Sequence, residues 1–178
     1  MWLTARTMID KNCNVLIVRD SLSKVVWVAS AKRIVQGRGN STYEVHMALS
    51  ETLFRSVLYI PGSKSRALEK ARSLAVDAII FDLEDAVASD EKDLARGVLA
   101  KELGAGGYGH RYRMVRINAL DTVWGADDAR AVVQTECDAI LLPKVESPND
   151  IDVLQAKTKD LPVWCMICLL YTSDAADE

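Results

Sequence analysis

Five short apolar runs decide the fold of this chain: RSVLYIP (residues 55–61), DAIIFDL (77–83), YRMVRIN (112–118), CDAILLP (137–143) and PVWCMI (162–167). Apolar character in these runs is largely continuous rather than alternating, which is typical of strands buried on both faces of a parallel sheet. The segments between the runs are long enough for crossover helices. The sequence therefore predicts an α/β fold with about five parallel strands.

Charged and polar residues gather where three of these runs end. Because the carboxyl ends of parallel strands lie at one edge of a sheet, and (βα) barrels carry their catalytic groups there, we expect a site at this edge. The residues concerned are Asp82, Glu84 and Asp85 after the second run, Arg116 and Asn118 in the third, and Lys144 and Glu146 after the fourth.

The overall composition is that of an ordinary globular protein. The 178 residues are 49% hydrophobic and 26% charged, which allows one domain with a core of ordinary size. A net charge of -3 argues against nucleic-acid binding. No apolar run approaches the roughly 18 residues that a membrane span requires. We therefore expect a protein that binds neither nucleic acid nor membrane.

The four cysteines give no sign of a metal site or of disulfide bonds. Cys13, Cys137, Cys165 and Cys168 lack metal-ligand spacing, and two of them fall in predicted buried strands, where cysteine usually acts as a small hydrophobic residue. The N-terminus also lacks the long apolar segment of a secretory signal. Reduced thiols and a cytoplasmic location are the expectation.

The first 46 residues differ in charge from the rest of the chain. They hold seven Lys and Arg against three Asp and Glu, whereas residues 47–167 hold 15 against 19. Two short runs (15–18 and 25–28) could form strands, and Met47 begins a plausible natural start. We predict that residues 1–46 are an upstream extension outside the domain; the alternative is a genuine β-rich extension. Protection of this segment in limited proteolysis would contradict the prediction.

The end of the first run carries a possible anion site. Ser63 is a candidate N-cap, and the free N–H groups of a helix N-terminus can bind an anion. Lys64 and Arg66 add positive charge at the same place. The alternative is a solvated first turn, which is favoured on physical grounds alone because cations there oppose the helix dipole.

The acidic cluster at the end of the second run has two interpretations. Asp82, Glu84 and Asp85 place three carboxylates within four residues, an arrangement that can bind a hydrated divalent cation or cationic groups. The alternative is that one carboxylate caps a turn while the others face water. Strand alternation puts Asp82 and Glu84 on one side of the strand end.

Arg116 is the strongest candidate for a substrate contact. It lies between apolar residues of a predicted buried strand, where an unpaired charge is costly. Its guanidinium either holds a substrate carboxylate or forms a structural ion pair with Glu84 or Asp85. Asn118 can orient a neighbour. Lys144 and Glu146 either take part in the site or simply pair with each other.

Five motifs follow one another in the chain: RSVLYIPG (55–62), FDLEDAV (81–87), VRIN (115–118), DTVWG (121–125) and LPKVESP (142–148). Together they resemble the citrate lyase β-subunit-like group (the HpcH/HpaI aldolase family), which includes malyl-CoA and citramalyl-CoA lyases. The resemblance covers about residues 50–167. It implies a TIM-type (βα)8 barrel, of which this chain holds the N-terminal part, Mg²⁺ as cofactor, and a homo-oligomer, often a trimer or hexamer.

The same resemblance implies a reaction. Members of this group cleave a carbon–carbon bond in a 3-hydroxyacyl thioester (malyl, citramalyl or citryl) by retro-Claisen chemistry, with the acyl group on CoA or an acyl carrier. Other readings are a 2-oxo-acid aldolase of the same family and a non-catalytic binding paralogue.

Roles carry over from the family by position. Arg116 resembles the arginine that holds the substrate's carboxylate and carbonyl oxygens, and Glu84 and Asp85 resemble the acidic pair near the metal and its waters. The remaining candidates are Asn118, Lys144 and Glu146 for substrate binding, and Ser63, Lys64 and Arg66 for the phosphates of the thioester carrier.

The resemblance ends after residue 167. The family continues there with a glutamate that binds the metal directly, but this chain has Cys168, so we expect no direct metal ligand within it. Residues 168–178 (CLLYTSDAADE) resemble a translated transposase sequencing adapter, and we predict an artefact tail following a partial TIM barrel at 47–167.

A complete TIM barrel needs about 250 residues. With fewer, we expect open edges on the first and fifth strands, an exposed apolar interior, and a polypeptide that is inactive and prone to aggregate. A soluble monomer with lyase activity would contradict this expectation.

Overall fold

Each of the five apolar runs forms a strand in the computed structural model, which describes residues 3–10, 13–19, 25–31, 54–158 and 161–168. The predicted boundary at residue 46 and the tail beyond Cys168 lie outside these described residues. The strands are β1 (Leu3–Asp10), β2 (Cys13–Arg19), β3 (Val25–Ala31), β4 (Ser56–Pro61), β5 (Ala78–Asp82), β6 (Tyr112–Arg116), β7 (Ala139–Leu142) and β8 (Val163–Cys168); the helices are α1 (Ser65–Ala71), α2 (Lys92–Gly104), α3 (Gly125–Val132) and α4 (Pro148–Thr158).

The predicted α/β fold is confirmed. Strands β4 to β8 pair in parallel and in chain order, and a helix lies between each strand and the next. Short helices are sufficient because each crossover only has to return the chain to the amino edge of the sheet.

Two apolar clusters explain why the runs are continuously apolar. Outward-facing side chains pack against the helices, and they include Ile79, Phe81, Val115 and Ile140 together with Leu68, Leu99 and Leu154. Inward-facing side chains form a second cluster, which includes Val57, Ile80, Met114, Leu141 and Trp164. Neighbouring residues of one strand therefore serve different cores, and neither face of the strand can be polar along its length.

The expected open edges are wrong. β1 pairs antiparallel with β4, β3 pairs antiparallel with β8, and the eight strands close in the order β1-β2-β3-β8-β7-β6-β5-β4. The expected exposed interior is also wrong, since Ile80, Met114 and Leu141 are fully buried. The runs at 15–18 and 25–28 lie within β2 and β3. The division at residue 46 stays a prediction, because strand pairing alone does not assign a segment to the folding unit of its neighbour.

Two buried cysteines and the length of the helices concern the expectations of reduced thiols and of no membrane span. Cys137 and Cys165 are buried free thiols, and burial raises the pKa of both, that of Cys165 to about 11. Such thiols are unreactive at neutral pH. Among the described residues, no helix has the length and apolar character needed to cross a membrane.

Gly125 marks the closest approach between a helix and a strand-end loop. A Cβ atom at this position would lie 2.3 Å from the carbonyl oxygen of Ala119 and 2.9 Å from the Cα of Leu120. Backbone atoms cannot move aside as a flexible side chain can. The Trp-Gly pair of the DTVWG motif therefore fixes how α3 starts behind the third parallel strand.

We predict opposite effects for two glycine-to-alanine substitutions. Gly125→Ala should lower the free energy of unfolding by about 1–3 kcal/mol because the added methyl group overlaps backbone atoms. Gly97→Ala is the matched control, since nothing lies within 4 Å of a Cβ at this exposed position in α2, and alanine should raise stability by about 0.5–1 kcal/mol. Urea unfolding followed by circular dichroism measures both; a stabilising Gly125→Ala would contradict the close approach.

Candidate active site

The register of the parallel strands brings the predicted site residues together. Asp82 is the last residue of β5 and pairs directly with Arg116, the last residue of β6. Lys144 follows β7 by two residues, so three neighbouring strands present their carboxyl ends at one edge. The structure brings together five of the predicted side chains, which ion pairs join: Asp82, Glu84, Asp85, Arg116 and Lys144.

Arg116 and Asp82 form the central ion pair. Arg116 Nε donates to Asp82 Oδ1 at 2.8 Å and Nη2 donates to Oδ2 at 2.5 Å, a two-point contact in which a guanidinium matches a carboxylate. Burial works against the charged form of Arg116, but the bonds to Asp82 outweigh it and raise the pKa of the guanidinium above its usual value. The sequence named Glu84 or Asp85 as the ion-pair partner, and both lie within ion-pair distance of Nη1. It missed Asp82, which makes the two-point contact.

Asp82 also shapes the turn that follows its strand. Its Oδ1 accepts the backbone N–H of Glu84 at 2.8 Å, and its Oδ2 accepts that of Ala86 at 3.1 Å. Four donors therefore converge on this buried carboxylate, two from Arg116 and two from the backbone. The oxygens of Asp82 are consequently committed to hydrogen bonds within the chain, which gives this residue a structural role.

Glu84 is a buried carboxylate whose Oε1 is not fully hydrogen-bonded. Arg116 Nη1 lies 2.9 Å from its Oε2, and Lys144 Nζ lies 3.3 Å from its Oε1. Oε1 is buried yet makes no aligned hydrogen bond. Burial raises the pKa of Glu84 above 4.5, although Arg116 opposes that shift. A carboxylate that is desolvated, cation-paired and incompletely hydrogen-bonded is suited to accept a proton or a water hydrogen.

Asp85 differs sharply from its two acidic neighbours. Its side chain is 74% exposed and its Oδ2 lies 3.7 Å from Arg116 Nη1. At that distance and exposure the contact is loose and easily screened by solvent. Of the three carboxylates, Asp85 is therefore the one whose side chain lies mostly in solvent.

Sequence reasoning missed two side chains that lie against Arg116. The guanidinium carbon lies 5.2 Å from the ring centroid of Tyr59, a cation–π contact. Met166 Sδ lies 3.9 Å from Nη1. Burial raises the pKa of Tyr59 to about 12, so its hydroxyl keeps its proton. The alternation of β4 could have placed Tyr59 on the inner face, but nothing in the sequence linked it to Arg116.

Asn118 faces away from the ion pairs into a second polar group behind the sheet. Its side-chain amide donates to the carbonyl of Leu83 at 2.8 Å and to Asp128 Oδ2 at 2.6 Å, and its Oδ1 accepts from Lys92 Nζ at 2.7 Å. Its side chain thus holds neighbouring groups of its own chain, and the predicted substrate contact of Asn118 stays a prediction. Lys92 and Asp128 were missed, because each reads as an ordinary charged residue in a helix.

Lys144 and Glu146 occupy the end of the fourth parallel strand. Lys144 has a φ of 52°, in the left-handed region that non-glycine residues seldom adopt. Its ammonium reaches across to Glu84. The backbone N–H of Glu146 donates to Asp150 Oδ2 at 3.0 Å, which ties this exposed residue to the start of α4.

The predicted anion site lies at the end of the neighbouring strand β4. Gly62 N–H donates to the carbonyl of Asp82 at 2.8 Å. This loop is therefore bound to the end of β5, from which the turn with Glu84 and Asp85 follows. Ser63 as N-cap is wrong: α1 starts at Ser65 and the cap position is Lys64, which makes no side-chain cap bond. Lys64 Nζ lies 3.7 Å from Glu91, and Arg66 is exposed.

The acidic residues fit the surroundings of a hydrated divalent cation better than its direct ligands. The described part of the chain contains no group of three or more His, Cys, Asp or Glu side chains placed to hold a metal ion. Glu84 Oε1 is a buried acceptor without an aligned donor, and Asp85 is exposed beside it. Carboxylates in such positions accept hydrogen bonds from the waters that a small divalent cation retains.

This geometry and fold are those of a (βα)-barrel enzyme with a carboxylate–arginine centre at the carboxyl ends of its strands. Residues 55–167 match the model of the HpcH/HpaI aldolase/citrate lyase family, and the chain belongs to that family.

Several relatives are similar over the same part of the chain. The (3S)-malyl-CoA thioesterase of Cereibacter sphaeroides (strain KD131) is 59% identical over 114 residues, which cover 64% of this chain and 40% of the relative. Citrate lyase subunit beta of Escherichia coli (strain K12) is 39% identical over 97 residues, 54% of this chain and 32% of the relative. The chain thus spans less than half the length of the relatives it matches.

The citrate lyase beta subunit of M. tuberculosis in complex with oxaloacetate and magnesium is 34% identical, with a TM-score of 0.48, over 55% of this chain and 42% of the solved chain.

We predict that two of the neighbouring carboxylates, Asp82 and Asp85, differ in their effect on stability. Asp82→Asn should lower the free energy of unfolding by about 3–5 kcal/mol, because Arg116 is left buried without its main partner. Asp85→Asn is the control and should change stability by less than about 1 kcal/mol. Urea unfolding of both variants decides the matter, and equal effects would show that Asp82 is not the anchor of Arg116.

Proposed function

We propose that the complete protein acts on a 3-hydroxyacyl-CoA thioester of the malyl type and cleaves its carbon–carbon bond by a retro-Claisen reaction. One observation carries the proposal: Arg116 is buried at the carboxyl edge of the sheet with its Nη1 side toward Glu84 and Asp85. Family membership and the malyl-CoA thioesterases among the relatives support the choice of substrate class.

Arg116 is the proposed holder of the substrate's oxygens. Asp82 occupies its Nε and one Nη2 position and so fixes the plane of the guanidinium. The Nη1 side pairs with Glu84, and Lys144 supplies a second positive charge at the other oxygen of the same carboxylate. A substrate carboxylate and the oxygen that gains charge as the bond breaks would both meet cations that are already in position.

Glu84 is the proposed base for the substrate hydroxyl. Loss of that proton forms a carbonyl as the adjacent carbon–carbon bond breaks, and the electron pair of the broken bond passes to the thioester as an enolate. Protonation of the enolate carbon completes the reaction, so malyl-CoA yields glyoxylate and acetyl-CoA. Burial of Glu84 raises its pKa, which makes it a better proton acceptor than an exposed carboxylate.

Mg²⁺ is the proposed cofactor of the complete protein. Bound there, it would polarise the hydroxy-acid oxygens and lower the energy of the developing charge. Within this chain Glu84 and Asp85 would accept hydrogen bonds from its waters, and we assign no direct ligand to the described residues. Consequently we propose that the 178-residue chain alone is inactive.

Ser63, Lys64 and Arg66 are proposed to meet the phosphates of the CoA or acyl-carrier group. Ser63 and Lys64 lie on the loop that Gly62 attaches to the turn after β5, and Arg66 lies in the first turn of α1. A long carrier arm could run from this place to Arg116. A homo-oligomeric assembly and a cytoplasmic location belong to the same proposal, as the family resemblance implies.

Hydrolysis of the same thioester is the second candidate. It is favoured by one finding, that the relatives at 57–59% identity are malyl-CoA thioesterases. Water would then add to the thioester carbonyl and the carbon–sulfur bond would break, giving malate and free CoA. The same arginine, base and cations would serve, since both reactions place negative charge on the thioester oxygen.

Product analysis separates these candidates. The complete protein, incubated with (3S)-malyl-CoA and Mg²⁺, is expected to release glyoxylate and acetyl-CoA in equal amounts, measured by liquid chromatography. Malate with free CoA would establish hydrolysis instead. Absence of both products from the complete protein would overturn the proposed substrate class and favour a binding role.

The raised pKa of Glu84 predicts the form of the pH profile. A base must be ionised, so kcat/KM should fall as the pH drops through a midpoint above 4.5, the ordinary value for this carboxyl. Glu84→Gln should lower kcat/KM by roughly 10²-fold or more and remove this acid limb. Glu69→Gln, at an exposed position on α1, is the control; an unchanged acid limb in Glu84→Gln would exclude Glu84 as the base.

A further inference from the structure

Lys92 is a buried lysine at the first position of α2. Only 6% of the residue is exposed. Its Nζ donates to the carbonyl of Leu83 at 3.0 Å, to the carbonyl of Glu84 at 2.9 Å and to Asn118 Oδ1 at 2.7 Å. An ammonium group has three N–H donors, and these three acceptors account for all of them.

This position is costly for a lysine. A cation in the first turn of a helix opposes the helix dipole, and removing an ammonium from water is expensive unless its donors are satisfied. The three acceptors are neutral oxygens, and the Trp124 ring, 5.2 Å from Nζ, contributes a cation–π contact. The side chain is thus held by a site that is complementary to an ammonium group.

The acceptors of Lys92 are themselves fixed from behind. Asn118 donates from its side-chain amide and its backbone N–H to Asp128 Oδ2. Asp128 is fully buried and also accepts from Arg96 Nε at 2.9 Å. Because the amide nitrogen is committed to Asp128 and Leu83, the amide oxygen must face Lys92. This network therefore joins α2 and α3 to the turn after β5.

Lys92 acts on the backbone from which the Glu84 carboxylate projects. On the inner side of the sheet, the N–H of Glu84 donates to Asp82. On the helix side, the carbonyl of Glu84 accepts from Lys92. The two bonds fix both peptide groups flanking the Cα of Glu84. Its side chain is then directed at Arg116 and Lys144.

We propose that Lys92 is a positioning residue whose ammonium fixes the turn after β5 and so determines where the Glu84 carboxylate lies. The importance of that carboxylate for catalysis rests on the proposed function, but the positioning itself is a property of this chain. With Lys92, three cationic side chains lie near the three carboxylates at this edge. Arg116 and Lys144 are the other two cations, and Asp82, Glu84 and Asp85 are the carboxylates.

Amide hydrogen exchange by NMR on the 178-residue chain tests the proposal. Lys92→Met keeps the length of the side chain and removes its donors. We expect exchange at the N–H groups of Glu84 and Ala86 to accelerate roughly tenfold or more, with less than about twofold change in β4 and β6. The Glu84 carboxyl ¹³C resonance should move at constant pH while that of Glu69 stays in place.

Lys101→Met, at an exposed position of the same helix, is the matched control and should change neither signal. A uniform acceleration throughout β4 to β7 would mean that Lys92 only stabilises the fold, and an unchanged turn would mean that it does not hold it; either result overturns the proposal.

A second measurement does not depend on the variant folding. In the unmodified chain the Lys92 ammonium should give a ¹⁵Nζ resonance with slowly exchanging protons, assigned through its own side-chain carbons. Rapid exchange of this ammonium, like that of an exposed lysine, would overturn the proposal. Product analysis on the complete protein tests the proposed function separately. A failure of the proposed function can therefore be distinguished from a failure of the positioning role of Lys92.

Discussion

The ion pair between Asp82 and Arg116 is the constraint on which this edge of the molecule depends. Parallel pairing places the two residues side by side at the ends of β5 and β6, and both point into the barrel mouth, where a lone charge would be costly. Their two-point contact neutralises both. Because Asp82 also accepts two backbone N–H groups, the position of the guanidinium and the course of the next turn are set by a single carboxylate.

The turn after β5 is consequently held between two polar groups on opposite sides of the sheet. In front are Asp82 and Arg116; behind it are Lys92, Asn118 and Asp128. Between them Leu83 is buried among apolar side chains of the outer cluster, which prevents the turn from rotating. A loop with so many fixed points can present a carboxylate with little loss of conformational entropy when a ligand arrives.

Sequence predicted much of this arrangement, for identifiable reasons. Strands buried on both faces leave a continuous apolar run, and polar residues that interrupt such a run at its end must be placed by function or by pairing. What sequence could not give was the choice of partner. Asp82, Glu84 and Asp85 all lie within reach of Arg116 by spacing, and only the register shows that Asp82 lies directly opposite.

Other features depended on segments distant in sequence. Tyr59 and Met166 meet at Arg116 from strands more than a hundred residues apart, and no local pattern reports such a contact. Lys92 was hidden because a lysine near a helix start is normally solvated. The pairing of β1 with β4 and of β3 with β8 likewise joins segments that are distant in sequence. For this reason the sequence alone predicted open edges at β4 and β8.

Three carboxylates that are close in sequence thus acquire three different chemical characters from their surroundings. Asp82 accepts hydrogen bonds from four donors and is committed to structure, whereas the side chain of Asp85 is 74% exposed. Glu84 alone is buried with an oxygen that lacks an aligned donor, and burial raises its pKa. Since desolvation disfavours the charged form of a carboxylate, the surroundings of Glu84 differ from those of its two acidic neighbours, and that difference is why Glu84 is the proposed base.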